Sequence, residues 1–114
     1  MKILDIQKLL NATVLTCKEN LDKEVKSACG SDMMSDVLAF VKDQAVLLTG
    51  LVNMQVVRTA EMMDMVCVVF VRNKMPNEEI ISLAESKGIV VMTTEERMYD
   101  ACGILYSNGL RLGA

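Results

Sequence analysis

The sequence predicts an α/β fold with a mostly parallel sheet of about five strands and helices on both faces. Three observations carry this. Residues 45–48 and 66–71 are continuous apolar runs rich in β-branched side chains, the composition of strands buried on both faces. Between them lies a Thr-Gly turn and a helical stretch, in which Val56, Val57, Ala60 and Met63 share one arc at about 100° per residue. A second helical stretch then leads to another short apolar run, residues 89–92. A strand–helix–strand unit of this length predicts a parallel crossover.

The remaining elements follow in chain order. Residues 3–10 place Ile3, Ile6, Leu9 and Leu10 at helical spacing, with Asn11 as a stop. Residues 13–17 are strand-like, the polar residues 18–23 turn, and residues 24–29 predict a short strand ending at Gly30. Gly30-Ser31-Asp32 opens a helix, with Ser31 as N-cap and Asp32 at the positive end of the dipole. Met33, Met34, Val37, Leu38, Phe40 and Val41 give that helix a broad apolar face, and Asp43-Gln44 ends it.

After residue 71, Pro76 starts a helix where its missing donor costs nothing, and Gly88 suits the cap at the other end. Thr93-x-x-Glu96 has the spacing of a capping box for the last helix, which runs to about Tyr106. Met98, Ala101, Cys102, Ile104 and Leu105 share its apolar arc. Ser107-Asn108-Gly109 closes it, and the residues beyond are expected to fray.

Composition narrows the function classes. The 114 residues suit a single domain over 1–114, and 52% hydrophobic content argues against disorder. No apolar run approaches the roughly 18 residues of a membrane span, and the charged start lacks a signal-peptide core, so a cytoplasmic protein is expected. A net charge of −3 without a basic cluster argues against nucleic acid as a partner. Histidine is absent, which removes the commonest general base and metal ligand. Cys17, Cys29, Cys67 and Cys102 are widely spaced and read as free, buried thiols; no metal site and no cofactor is expected.

Ligands of open α/β sheets gather at the carboxyl ends of strands, near a switch in strand order. Three such ends are readable, and they supply the candidate binding residues Thr49, Gly50, Asn53, Arg72, Asn73, Lys74, Thr93 and Thr94. Each precedes a helix whose free N–H groups can hold an anion, with Arg72 and Lys74 adding positive charge. Neither the P-loop pattern nor G-x-G-x-x-G occurs, and no nucleophile–base–orienter set assembles, so catalysis is not expected. The helix after Thr49-Gly50 also carries Met54, Met62 and Met65 on a second side, with Arg58 among them. Flexible thioethers suit adaptable contacts, so these residues, with Leu51 and Val52, are the candidate interface of a homodimer.

Leu48-Thr49-Gly50 before a helix, the polar turn ending in Pro76, the run from Ile81 to Ala101 and the Gly30-Ser31-Asp32-Met33 entry together resemble the DRTGG domain family over most of the chain. Relatives accompany the catalytic parts of some phosphate acetyltransferases and of regulatory pyrophosphatases with CBS domains, and a similar module begins the bifunctional phosphocarrier-protein kinase/phosphorylase. The resemblance implies a Rossmann-like three-layer sandwich used for regulation or dimerisation, without an activity of its own.

This chain departs from the family at the name-giving positions. Leu51-Val52 stand where Asp-Arg is usual, and Val71-Arg72-Asn73 stand where Thr-Gly-Gly is usual. An apolar pair in place of a charged one suggests an edge that contacts protein. The expected function is a non-catalytic regulatory or protein-interaction module, homodimeric. The alternatives are a sensor of an adenine nucleotide or other anion, and an auxiliary subunit that partners a larger metabolic or redox enzyme.

Overall fold

The computed structural model describes residues 1–41 and 43–113. In chain order the elements are α1 (Ile3–Leu9), β1 (Thr13–Val14), a 3-10 turn (Lys18–Asn20), β2 (Ser27–Gly30), α2 (Met34–Phe40) and β3 (Ala45–Thr49). They continue with α3 (Met54–Met62), β4 (Cys67–Phe70), α4 (Glu78–Ser86), β5 (Val90–Thr93) and α5 (Met98–Ser107). One five-stranded sheet runs β1-β5-β4-β3-β2; β2 to β5 are parallel and β1 is antiparallel to β5. This is the Rossmann-like α/β architecture that the sequence predicts.

Alternation along the strands builds two cores. Val46, Leu48, Val69 and Met92 face one way, against Ile3 and Ile6 of α1 and Ala101 and Leu105 of α5. Leu47, Val68, Phe70 and Val91 face the other way, against Val37 of α2, Val56, Val57 and Ala60 of α3, and Ile80 and Ala84 of α4. The register stacks like on like, with Val46 beside Cys67 and Val69 beside Met92. Every residue of β3, β4 and β5 is buried, which is why these strands read as unbroken apolar runs.

Strand order settles where a ligand crevice can form. β2, β3, β4 and β5 are laid down side by side in sequence, and α2, α3 and α4 all pack on one face. The parallel strands therefore contain no reversal of order, and no switch point of the kind that usually opens a ligand crevice arises among them. Only α5 crosses to the opposite face, beside α1.

Several local expectations are corrected. The strand expected over 13–17 is in register with β5 only at Thr13 and Val14, with one further backbone bond from Leu15 N to Val91 O at 2.8 Å. Beyond them the Thr16 hydroxyl takes over, donating to Ile89 O at 2.7 Å and accepting from Val91 N at 2.8 Å, and Cys17 turns away at φ 51°. The strand expected over 24–29 splits: Glu24 bridges to Lys2, while Ser27–Gly30 joins the sheet. Ser31 is not the N-cap of α2; that position is Met33, and the Ser31 hydroxyl accepts from Met33 N in a tighter local turn. Pro76 lies one residue before the cap, and Asn77 caps α4 by accepting from Ile80 N at 3.0 Å.

Thr93 and Glu96 form no capping box, because Thr93 still belongs to β5 and α5 begins at Met98 after Arg97. The apolar face expected of α2 is half realised: Met34 and Val37 are buried, whereas Met33, Leu38 and Phe40 stand in solvent. Gly88 closes α4 at φ +71°, a conformation that favours glycine, as its position implies.

Candidate functional site

The site grows from the carboxyl end of β3. A strand must hand its chain to α3 within a few residues, and Thr49-Gly50 makes that turn. Thr49 is buried, and its hydroxyl accepts from Leu51 N at 3.1 Å while donating to Asp32 Oδ1 at 2.9 Å. Gly50 N–H donates to the same oxygen at 2.7 Å. Asp32 comes from the neighbouring β2–α2 link, because parallel strands bring their carboxyl ends to one edge.

Arg72 reaches the same spot from β4. A Cβ on Gly50 would lie 2.7 Å from the Arg72 guanidinium and 3.6 Å from the Asp32 carboxylate. Glycine thus leaves room for the guanidinium to lie close to the turn. Arg72 and Asn73 are both left-handed, at φ 58° and 56°. The fold holds them there through Arg72 N to Glu96 O at 2.8 Å and Asn73 N to Thr94 O at 2.7 Å.

The electrostatics centre on Asp32. The Gly50 N–H hydrogen bond is the main force holding its carboxyl below the usual carboxylate range; the Thr49 hydroxyl, Arg72 and Lys74 push the same way and partial burial opposes them. The edge is therefore an anion-holding arrangement in which the chain's own carboxylate occupies the donors.

The eight sequence-predicted residues separate accordingly. Thr49, Gly50 and Arg72 come together around Asp32. Lys74 and Asn73 are exposed beside them. Thr93 and Thr94 do not offer their hydroxyl protons to the edge: Thr93 donates to Lys74 O and Thr94 to Leu10 O. Asn53 precedes α3 without capping it, and its Oδ1 is buried with no hydrogen-bond partner among the described residues. Asp32 is the member the sequence reading placed elsewhere, as a helix-dipole residue. Nothing local reveals a contact spanning the gap from Asp32 to Gly50.

The candidate interface does not form one surface. The helix of α3 stops at Met62 and Asp64 takes φ 53°, so Met65 leaves the helical arc and is 3% exposed in the core. Leu51, Val52 and Met54 are half-buried against the same core. Met62 and Arg58 alone stand exposed.

The cysteines are all free, with Cys17, Cys29 and Cys67 buried and Cys102 half-buried. Cys17 Sγ donates to Glu85 Oε2 at 2.8 Å. Burial first, then the Glu85 carboxylate, push this thiol up to about 12, so it is protonated at neutral pH. Glu19 lies close to the same pair. A protonated thiol between two acids is a donor, which suits a structural tie between the 3-10 turn and α4.

A three-layer α/β domain with a self-occupied anion cradle at its sheet edge is the class defined by this geometry. The chain belongs to the DRTGG domain family, whose model matches residues 5–107. Among solved structures it is similar to the CBS and DRTGG domains of the regulatory region of Clostridium perfringens pyrophosphatase, complexed with the activator diadenosine tetraphosphate. The TM-score is 0.73 at 17% identity, over 91% of this chain and 45% of that one. This chain thus spans under half of that neighbour, and at such identity the likeness shows the fold alone. Comparison with curated protein sequences returns no match. No helix among the described residues is long and apolar enough to cross a membrane.

Proposed function

We propose that this chain is a non-catalytic regulatory module that acts through protein contact and forms a homodimer. The observation that carries this is the distribution of exposed apolar side chains. Met33, Leu38, Phe40, Tyr99, Tyr106 and Leu112 are six of the eight large ones exposed among the described residues, and they lie at the cap of α2, on α2 or α5, or in the C-terminal segment. Those three elements flank β2, with α2 and α5 on opposite faces of the sheet, so the exposed groups bracket one edge of it. Clustered apolar exposure of this kind marks interaction surfaces. The self-occupied cradle supports the same reading, since Asp32 already holds the donors that a bound anion would need.

Light scattering at two protein concentrations tests it. The expected result is a dimer, converted to monomer by Phe40→Asp combined with Tyr106→Asp. Both residues are more than half exposed, so the fold should tolerate the changes. An unchanged mass in the double variant would remove this surface from the interface. A wild-type monomer that elutes with a second polypeptide would instead favour the auxiliary-subunit reading.

A second reading is favoured by the charge beside the cradle. Arg72 and Lys74 are exposed there, and the acceptor Asn53 Oδ1, which has no hydrogen-bond partner among the described residues, could take a donor such as an adenine amino group. A sensor of an adenine nucleotide or other anion would use Thr49, Gly50, Asn53, Arg72, Asn73 and Lys74, and the structural neighbour's complex with diadenosine tetraphosphate gives a reason to try that ligand. The expected result is a rise in melting temperature with one member of an adenine-nucleotide panel, lost in Arg72→Ala. Unchanged melting across the panel would count against a sensor.

A further inference from the structure

β2 is an edge strand, and what covers its free side is the chain's own C-terminal segment. Ala28 N–H donates to Leu112 O at 2.9 Å, and Gly113 forms a parallel bridge with Ala28. Leu110 is buried and anchors the segment. Beyond it the hold is light and open to solvent: Arg111, Leu112 and Gly113 are exposed, and Arg111 donates from Nε to Tyr106 O at 3.2 Å with its guanidinium 5.6 Å from the Tyr106 ring. A cleft of about 260 Å³ lies beneath, lined by Gly30, Leu48, Cys102 and Leu105 as well as by the segment itself.

We propose that residues 111–113 are a displaceable strap, and that its removal frees β2 to pair with β2 of a second copy. This rests on the homodimer reading and specifies its geometry. Alternate residues of a strand turn their backbone groups to the same side, so Gly30 presents its N–H and C=O outward as Ala28 does. An antiparallel pairing about a two-fold axis beside Cys29 sets Ala28 of each copy against Gly30 of the other.

The occupant is a second copy because β2 can meet itself. Its residues Ser27, Ala28, Cys29 and Gly30 carry no charge, so self-pairing brings no like charges together. The strand also lacks the lysine or proline with which edge strands usually discourage pairing, which leaves the strap as its guard. The exposed side chains of α2 and α5 flank the same edge, on opposite faces of the sheet, and an isologous pairing brings each group towards its counterpart.

A disulfide lock tests this. Ala28→Cys and Gly113→Cys, in a Cys102→Ser background, join the strap to β2 within one chain, and non-reducing peptide mapping identifies the link. A chain ending at Leu110 provides the opposite state. Light scattering over a dilution series is expected to give a monomer for the oxidised lock and a dimer after reduction. The chain without residues 111–114 should remain dimeric at dilutions where the full chain dissociates.

A dimer that persists in the oxidised lock overturns edge pairing and leaves the homodimer reading standing. Monomers in every form, truncated chain included, overturn both. A truncated chain that dimerises less well than the full chain also overturns the strap, because residues 111–113 would then belong to the interface. If the lock does not form, the truncated chain alone decides between these outcomes.

Discussion

Phe70→Ala is expected to destabilise the fold by about 3–5 kcal/mol, the largest effect of any single truncation here. Phe70 closes β4, is fully buried, and heads the largest side chains of the core. It lies in the cluster that joins the sheet to α2, α3 and α4, between Thr49 and Thr93 in register. Removing the ring takes away apolar contacts and leaves a cavity that three buried strands and their helices cannot collapse to fill. Small domains have a total stability of about 5–15 kcal/mol, so the variant should melt far earlier in urea and be partly unfolded when warm.

Phe40→Ala is the internal control. Phe40 is 64% exposed at the end of α2, so at dilutions where the chain is monomeric its truncation should change stability by less than about 0.5 kcal/mol. Urea unfolding followed by circular dichroism measures both. Equal effects from the two phenylalanines would contradict the described core.

Asp32→Ala is expected to cost about 1–2 kcal/mol at neutral pH. It removes the acceptor of Gly50 N–H and Thr49 O–H beside Arg72. Charge-assisted hydrogen bonds reach about 1.5–3 kcal/mol when shielded, and the exposure of Asp32 to solvent lowers that range. The loss should depend on pH in a defined direction. The folded chain holds the Asp32 pKa below its unfolded value of about 3.9, so the carboxylate's contribution is fully present above that value. It disappears as pH falls through the lowered folded pKa. The gap between wild type and Asp32→Ala should therefore be constant from neutral pH down to about 5 and narrow steadily below about 4. A gap that stays constant into the acid range would show that packing, and not the charge, is what Asp32 contributes.

The same two residues show where sequence reading succeeds and where it stops. Phe70 sits in a run of buried strand residues, and its burial follows from the run itself. Phe40 sits on a stretch with helical spacing, and the same reasoning buries it. Only the placement of α2 at the sheet's edge leaves Phe40 uncovered, because no further layer lies beyond it to use the outer half of its apolar face. Met65 fails in the opposite direction. It matches the helical arc of Met54 and Met62, but α3 ends before it and the turn at Asp64 carries it inward.

Local chemistry determined the elements of this protein by itself. Period and composition set β3, β4 and β5 as buried strands, α3, α4 and α5 as the helices between and after them, and Gly88 as a helix end. These depend on contacts within a few residues and on burial averaged over a whole element, and both are written into the order of side chains. Tertiary structure alone decided the rest. It placed β2 at an edge, kept the parallel strands free of a switch point, turned Thr93 and Thr94 to structural bonds, and set the Asp32 carboxylate on the Gly50 N–H. Each of those outcomes is a pairing of groups far apart in the chain. The side chain names the chemistry available at such a position, but its partner is chosen by strand order and packing, which no stretch of sequence contains.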